Sequence, residues 1–289
     1  MRMIGAAIAV VGVLAVAAGL AVAQGKPASS AKKFKFKGGK VETGMLYTYI
    51  RSDLAGEKTG SVLVYVPDKK RVEILRVNPG QDAGQLLTGE MNWDTYSLGQ
   101  FELWREGRDG GRQRQATATF SEASLSFRVE DQGLYRGAAG AASFTLPLTQ
   151  IPAHLYNLDF VTLGLALRHL AEPMGSADFG VFAENTGVGP DSPNLLVPGG
   201  KATVAFLEEV DRDGIPCMKY RVFGPALGDQ EGLLWLNTEK GYLQDAEIPV
   251  RSSADWPDLK LTLRSAEKLS EGDWPLRRSL EISRSVAAK

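Results

Sequence analysis

The sequence predicts a mainly β protein: a large curved antiparallel sheet or open barrel of about thirteen strands, with one main apolar helix packed on or across it. From residue 44 onward, apolar residues mostly alternate with period two, in runs such as SVLVYV and RVEILRV that are rich in β-branched and aromatic residues. The runs are separated by segments of turn composition, such as DLAGEKTG and VPDKK. Strands do not alternate with helices, so a parallel α/β fold is not indicated.

Two hairpins stand out in the C-terminal half. The stretch KATVAFLEEVDRDGIPCMKYRVFG predicts a hairpin with Asp213-Gly214 at its turn. The next one, within residues 233–250, turns between Asn237 and Gly241. The final run LRRSLEISRS is predicted as a closing strand, which completes a single β-rich domain over residues 41–289.

The one predicted helix covers residues 157–172. Asn157 can cap its start, and Pro173 stops it. Its apolar residues form two stripes, so less than half of its circumference is polar. The pattern is typical of a helix that is buried on more than one side or lies across an apolar opening.

Residues 1–23 are predicted to be a cleavable signal peptide. A short segment with one positive charge precedes an apolar run over residues 4–20, and small residues follow at Ala21 and Ala23. The alternative is an uncleaved membrane anchor, for which the run is short. No cysteine follows the run, which excludes a bacterial lipoprotein anchor. We therefore expect a periplasmic or secreted protein.

Residues 24–40 are predicted to be a Lys-rich flexible linker. The alternative interpretation is a weak contact with a membrane surface through anionic head groups, helped by Phe34 and Phe36 between lysines. The whole chain has a formal net charge of −1, which gives no electrostatic reason to expect nucleic acid as a partner.

No catalytic residue, metal site or cofactor is predicted. The two histidines, His154 and His169, have no Gly-x-Ser-x-Gly elbow to serve, and the lone Cys217 is interpreted as a core residue. The DRDG stretch at Asp211–Gly214 is interpreted as a hairpin turn because it lacks the later ligands of a calcium loop. A polysaccharide-acting hydrolase with two carboxylates from distant strands stays open as an alternative.

The helix stretch NLDFVTLGLALRHLAEP, followed by the segment from GKATVAFLEEV to LQDAEIPV, resembles an uncharacterised family of exported bacterial proteins. About 110 residues carry the resemblance, and its motifs are structural. More remotely, the layout is similar to the periplasmic lipoprotein-carrier fold, an unclosed antiparallel barrel with a helical lid over a hydrophobic cavity. That likeness implies an architecture but no catalytic residues.

The function predicted first is non-enzymatic binding in the periplasm, of a lipid, an acylated segment or another apolar ligand held between sheet and helix. The predicted contact residues are Phe160, Leu163 and Leu167 on the helix, with Trp235 and Tyr242 on the facing hairpin. The alternative is an envelope interaction module, in which a sheet edge or residues 184–200 recruit another protein.

Overall fold

The computed structural model describes residues 30–130, 143–148, 150–155, 160–184, 196–228, 230–249 and 258–287. The predicted signal peptide and residues 24–29 lie outside these ranges. Among the described residues, no helix is both long enough and apolar enough to span a membrane.

Fifteen strands in the described residues form one sheet, which confirms the predicted fold class. The strands are β1 (Met45–Ser52), β2 (Gly60–Val66), β3 (Arg71–Val77), β4 (Ala83–Asn92), β5 (Ser97–Gly107), β6 (Arg112–Phe120), β7 (Ser124–Val129), β8 (Ser143–Pro147), β9 (Ala153–Leu155), β10 (Ser176–Glu184), β11 (Leu196–Arg212), β12 (Ile215–Phe223), β13 (Gly232–Asn237), β14 (Leu243–Ile248) and β15 (Leu259–Lys268). The helices are α1 (Leu163–Leu167) and α2 (Trp274–Ala287).

The sheet runs outward in both directions from its first and last strands. Its order is β8-β7-β6-β5-β4-β3-β2-β1-β15-β14-β13-β12-β11-β10-β9, so β1 and β15 lie side by side near the middle. All neighbours are antiparallel except β9 and β10, which are parallel, so the sheet is mixed. The two edge strands, β8 and β9, are not paired with each other.

The two edges pass each other because the sheet is rolled up. β9 is fully buried and contacts β5, where the Ala153 N–H donates to Ser97 Oγ at 2.8 Å. β8 contacts β11. On β10, Phe179 points to the interior while Phe182 packs toward Phe120 of β6, with 6.3 Å between ring centroids. The sheet therefore overlaps itself, with β9 on the inside and β8 on the outside.

Two strands are absent from the sequence-based count, β4 and β9. β4 contains two glycines and a glutamate, which have low strand propensity. Gly89 is required there, since a Cβ at this position would lie 2.9 Å from Phe101 Cβ on the neighbouring strand. β9 is only three residues long, too short to show a period.

The predicted closing strand LRRSLEISRS is wrong: these residues belong to helix α2. Ser270 starts the turn before it by accepting a hydrogen bond from the Asp273 N–H, and Pro275 stands in the first turn of the helix. The buried positions Arg278, Glu281 and Ile282 lie three and four residues apart on one helix face, whereas an alternating strand would turn the neighbours Glu281 and Ile282 to opposite sides.

Helix α2 covers the outer face of β1–β4. There Trp274 and Ile282 pack with a second hydrophobic core that is separate from the interior one. Its polar anchor is Arg278, whose Nε lies 2.9 Å from Glu106 Oε1, and both side chains are almost completely buried. Arg278 also reaches Glu73 Oε2 at 3.5 Å, and the Trp274 Nε1–H donates to the same oxygen at 2.7 Å.

The strap, which we define as residues 30–41, is the described part of the predicted flexible linker together with Val41, and it lies against the domain. Phe34 is buried and forms a β-bridge with Leu170. The Lys35 N–H donates to the His169 carbonyl at 2.7 Å, and the Ala171 N–H donates to the Lys33 carbonyl at 2.8 Å. The linker prediction is therefore wrong for residues 30–40, because apolar burial and backbone pairing hold them.

We expect Glu106→Gln to lower the free energy of unfolding by about 3–5 kcal/mol, because it leaves the buried Arg278 charge without its main partner. Urea unfolding measures the change. The matched control is Asp82→Asn, whose ion pair with Arg105 is solvent-exposed at 3.4 Å. It should cost at most about 1 kcal/mol. Equal effects of the two substitutions would contradict the anchoring role.

Candidate functional site: the interior of the rolled sheet

The interior of the rolled sheet is occupied by residues 160–170, which we call the interior segment. A 3₁₀ turn over Phe160–Thr162 leads into α1, and every residue of the segment is buried. Phe160 lies beside Arg51 and Leu259 at one end of the sheet. His169 lies beside Trp93 at the other end. The segment therefore runs the length of the interior.

The helical part is shorter than predicted. α1 covers Leu163–Leu167, and the predicted cap Asn157 lies outside the described residues. Helical hydrogen bonding ends early because the Ala171 N–H donates to the Lys33 carbonyl of the strap at 2.8 Å, instead of to a carbonyl of the segment. Contact with the sheet is close: a Cβ on Gly164 would lie 3.0 Å from Leu243 Cβ, so glycine allows the helix to approach β14.

Four of the five predicted contact residues belong to the interior. Phe160, Leu163 and Leu167 are buried in the main core, and Tyr242 packs against it from the β13–β14 turn. Trp235 does not face the helix. Its neighbours Leu234 and Leu236 point inward, so the period of two turns Trp235 outward, where Arg212 lies 4.4 Å from its ring centroid.

Two pockets beside the interior segment, both small, lie in the part of the chain that the structure describes. A cavity of about 30 Å³ lies beside Phe160 and Val161, and one of about 10 Å³ lies beside Leu165 and His169. Each has room for at most about one or two water molecules, whereas sites for small organic ligands usually have about 300–1,000 Å³. Two larger depressions, of about 330 and 290 Å³, have mostly charged and polar linings.

Arg168 fixes the end of the interior segment that meets the strap. Its Nε donates to the Gly241 carbonyl at 2.9 Å and its Nη1 to the Lys40 carbonyl at 3.4 Å. The guanidinium carbon lies 5.3 Å from the centroid of the Tyr47 ring. Since an unsatisfied buried charge is costly, these contacts hold the segment, the strap and the β13–β14 turn together.

His169 is the centre of a ring cluster at the same end. Its ring lies 4.8 Å from Trp93 and 5.2 Å from Phe36, measured between centroids, and Tyr96 lies nearby. Its Nδ1 accepts a hydrogen bond from the Lys37 N–H at 3.0 Å, so this nitrogen carries no proton. Burial lowers the pKa of His169 to about 4, with smaller contributions from the charges of Arg168 and Lys37.

The other groups considered for chemistry have structural positions. His154 is buried with its Nδ1 3.2 Å from Thr162 Oγ1, and burial lowers its pKa to about 3. Cys217 is buried, and burial raises its thiol pKa to about 11. The Asp211–Gly214 stretch is the β11–β12 turn, with the Gly214 N–H donating to Asp211 Oδ1 at 2.7 Å.

Two further observations concern the enzyme alternatives. In the described residues, no three His, Cys, Asp or Glu side chains come together in a group that could hold a metal ion. Glu73 and Glu106 do converge, but both bind Arg278. Their pairing gives them a structural role in anchoring α2.

No protein-family model and no curated protein matches the chain. Solved structures that resemble it include a β-barrel-like protein of domain of unknown function DUF1849 from Brucella abortus, with a TM-score of 0.42 and 12% identity over 77% of this chain and 96% of that one. Another is a putative outer membrane lipoprotein-sorting protein domain from Vibrio parahaemolyticus, with a TM-score of 0.21 and 10% identity over 83% of this chain and 94% of that one.

Both structures are of the kinds named from the sequence, an uncharacterised β-rich protein and a lipoprotein-sorting domain. At these scores the similarity says nothing about function. The function of this chain must therefore be inferred from its own geometry.

Acidification below pH 6.5 should destabilise the protein through its two histidines. A free histidine has a pKa of about 6.5, so the unfolded chain binds protons that the folded His154 and His169 exclude. Above about pH 7 the two histidines cost the folded state nothing. As the pH drops from about 6.5 toward 4, the free energy of unfolding falls by about 1.4 kcal/mol per pH unit for each histidine.

Urea unfolding at pH 7 and pH 5 measures this loss. His169→Gln keeps a side-chain acceptor but does not titrate, so we expect roughly half of the pH dependence in this variant. An unchanged slope would show that His169 does not contribute.

Gly164→Ala should destabilise the protein by about 1–3 kcal/mol, although alanine is the better helix former. The new methyl group would be forced against Leu243 at 3.0 Å. The matched control is Gly39→Ala in the strap, where no atom lies within 4 Å of the added Cβ. Thermal unfolding compares the two. A stabilised Gly164→Ala variant would mean that the helix does not press against β14.

Proposed function

We propose that this chain is an exported, non-enzymatic binding protein of the bacterial envelope that acts by surface contact with a protein partner. The observation that carries the proposal is the filled interior. The interior segment takes the place that a ligand would occupy, and the cavities beside it have volumes of about 30 and 10 Å³. Export rests on the predicted signal peptide, residues 1–23.

The outer edge strand β8 is the contact surface that the topology favours. In the described sheet it is paired on one side only, with β7. Its exposed residues are Ser143, Thr145 and Pro147, while Leu146 is buried. An edge strand of this kind can accept an additional strand from another protein, with backbone hydrogen bonds supplying the affinity.

A lipid or acylated ligand is the second candidate, and one observation favours it. The interior segment is not apolar throughout: Thr162, Arg168 and His169 are buried in it. Two of these, Arg168 and His169, make hydrogen bonds with the peripheral strap. If the strap leaves, the segment loses these partners and can make room for an apolar chain between the same core side chains.

Native mass spectrometry of the protein purified from an exporting host, followed by organic extraction, separates the two candidates. We expect the mass of the chain alone and no lipid in near-stoichiometric amount. A bound lipid released in such an amount would overturn the surface-contact proposal in favour of the carrier. Phe160→Ala and Leu167→Ala variants would then locate the ligand, since both residues line the interior.

Photo-crosslinking in the envelope tests the β8 edge. A photoreactive residue at Thr145 should capture one discrete partner, whereas the matched control at Gln113, an exposed position on β6, should not. Equal capture at both positions, or none at Thr145, would contradict strand addition at this edge.

A further inference from the structure

The strap presents its charges on one rigid face because the domain holds its backbone. Lys32, Lys33 and Lys35 are exposed on either side of the buried Phe34. No acidic residue occurs between residues 30 and 41. A free tether would average these charges over many positions, whereas the β-bridge and backbone hydrogen bonds to residues 169–171 fix them relative to the sheet.

Other positive charges lie on the same end of the rolled sheet. The Trp93 Nε1–H donates to the Lys69 carbonyl at 2.8 Å, and the Trp93 ring lies 5.2 Å from the ring of Phe36. Lys69 and Lys70 in the β2–β3 turn are exposed beside the strap. Crowding of like charges also acts on Lys37, whose pKa is lowered by burial and then by Lys40 and Lys35.

An apolar side chain stands among these lysines. Phe36 is 45% exposed although it contacts Trp93 and His169, so part of its ring faces solvent. An exposed aromatic ring within a cluster of lysines combines the two features by which a protein surface associates with lipid head groups.

Acidic residues near this surface offset only part of its charge. Those that lie near it are Glu42, Asp68, Asp94, Glu172 and Glu239, the last of which lines a depression with Lys37 and Lys40. Asp68 is already paired with Arg71 at 2.6 Å, and Glu42 lies 3.9 Å from Lys240, so neither neutralises a lysine of the strap. Asp94, Glu172 and Glu239 are exposed, and these three carboxylates are fewer than the five exposed lysines of the strap and the β2–β3 turn.

We propose that this basic face, formed by Lys32, Lys33, Lys35, Lys69 and Lys70 around Phe36, docks the domain on an anionic bilayer surface. Only this face is complementary in charge to an anionic bilayer, because the chain as a whole has a formal net charge of −1. Lysines close to an anionic bilayer are attracted to its head groups, and an exposed aromatic ring is favoured at the level of the head groups. The docked orientation places the strap end toward the lipid and the opposite end of the sheet away from it.

Vesicle sedimentation tests the docking with a chain that starts at residue 24 and therefore contains every described residue. We expect it to sediment with vesicles of phosphatidylcholine and phosphatidylglycerol at low salt, and not with phosphatidylcholine alone. Binding should weaken strongly when salt is raised to about 1 M, where the Debye length falls to about 3 Å.

The triple variant Lys32→Gln, Lys33→Gln, Lys35→Gln should partition roughly 100-fold more weakly, about fivefold for each lysine. The matched control, Lys58→Gln, Arg105→Gln, Lys260→Gln, removes the same charge from residues at the opposite end of the sheet and should bind like the unaltered chain. Urea unfolding verifies that both variants fold.

Three results would overturn the proposal: no binding to either vesicle, equal binding to both vesicles, or equal loss of binding in the two triple variants. None of these depends on a protein partner. The docking proposal can therefore fail while the proposed contact with a protein partner stands. Equally, the protein contact can fail while the docking proposal stands.

Discussion

A sheet of fifteen strands with an apolar inner face must cover that face, and the rest of this structure depends on how the chain does so. Rolling the sheet brings the apolar residues of distant strands together but leaves a long interior. The chain fills the interior with its own residues 160–170, all of them buried. The segment is closely packed, because a Cβ added to Gly164 would lie only 3.0 Å from Leu243 Cβ. The filled interior is the reason to look for function on the outside.

The outer face of the sheet differs from one part to another, and only its apolar part is covered by helix α2. Over β1–β4 the outer face is apolar enough to need a cover, and α2 supplies one through Trp274 and Ile282. The buried Arg278–Glu106 pair fixes the position of the helix at some desolvation cost. Elsewhere the outer face carries groups such as Arg212, Trp235 and Asp245, which pack against one another without a covering helix.

The strap connects the interior to the surface. Its backbone and Lys37 bind the end of the interior segment, while its exposed lysines point to solvent. The strap therefore has two roles. It closes one end of the rolled sheet, and it carries the positive charge that we assign to membrane docking. An event that pulled the strap toward a bilayer would also weaken its hold on Arg168 and His169.

The sequence predicted the strands with a clean period of two and both C-terminal hairpins, because alternation and an Asp-Gly turn are local signals. It missed β4 because Gly84 and Gly89 serve packing against other strands, which no local pattern records. It missed α2 because the apolar residues Leu276, Leu280 and Ile282 fit a period of two, although Leu276 and Leu280 are exposed on the helix. The rolling of the sheet could not be predicted, since it depends on long-range pairing. The outward direction of Trp235 follows from alternation with Leu234 and Leu236, but only once the face of the sheet that points inward is known.

Hydrogen exchange of the interior segment tests the central claim most directly. The His169 N–H donates to the Ala166 carbonyl at 2.9 Å and the Leu170 N–H to the Leu167 carbonyl at 3.2 Å. If the segment is a permanent part of the core, these two amides exchange as slowly as the central strands β1 and β15, through global unfolding. Exchange faster by orders of magnitude than in those strands would show that the segment leaves the interior of the folded protein. The interior would then be open to a ligand, which contradicts a permanently filled sheet.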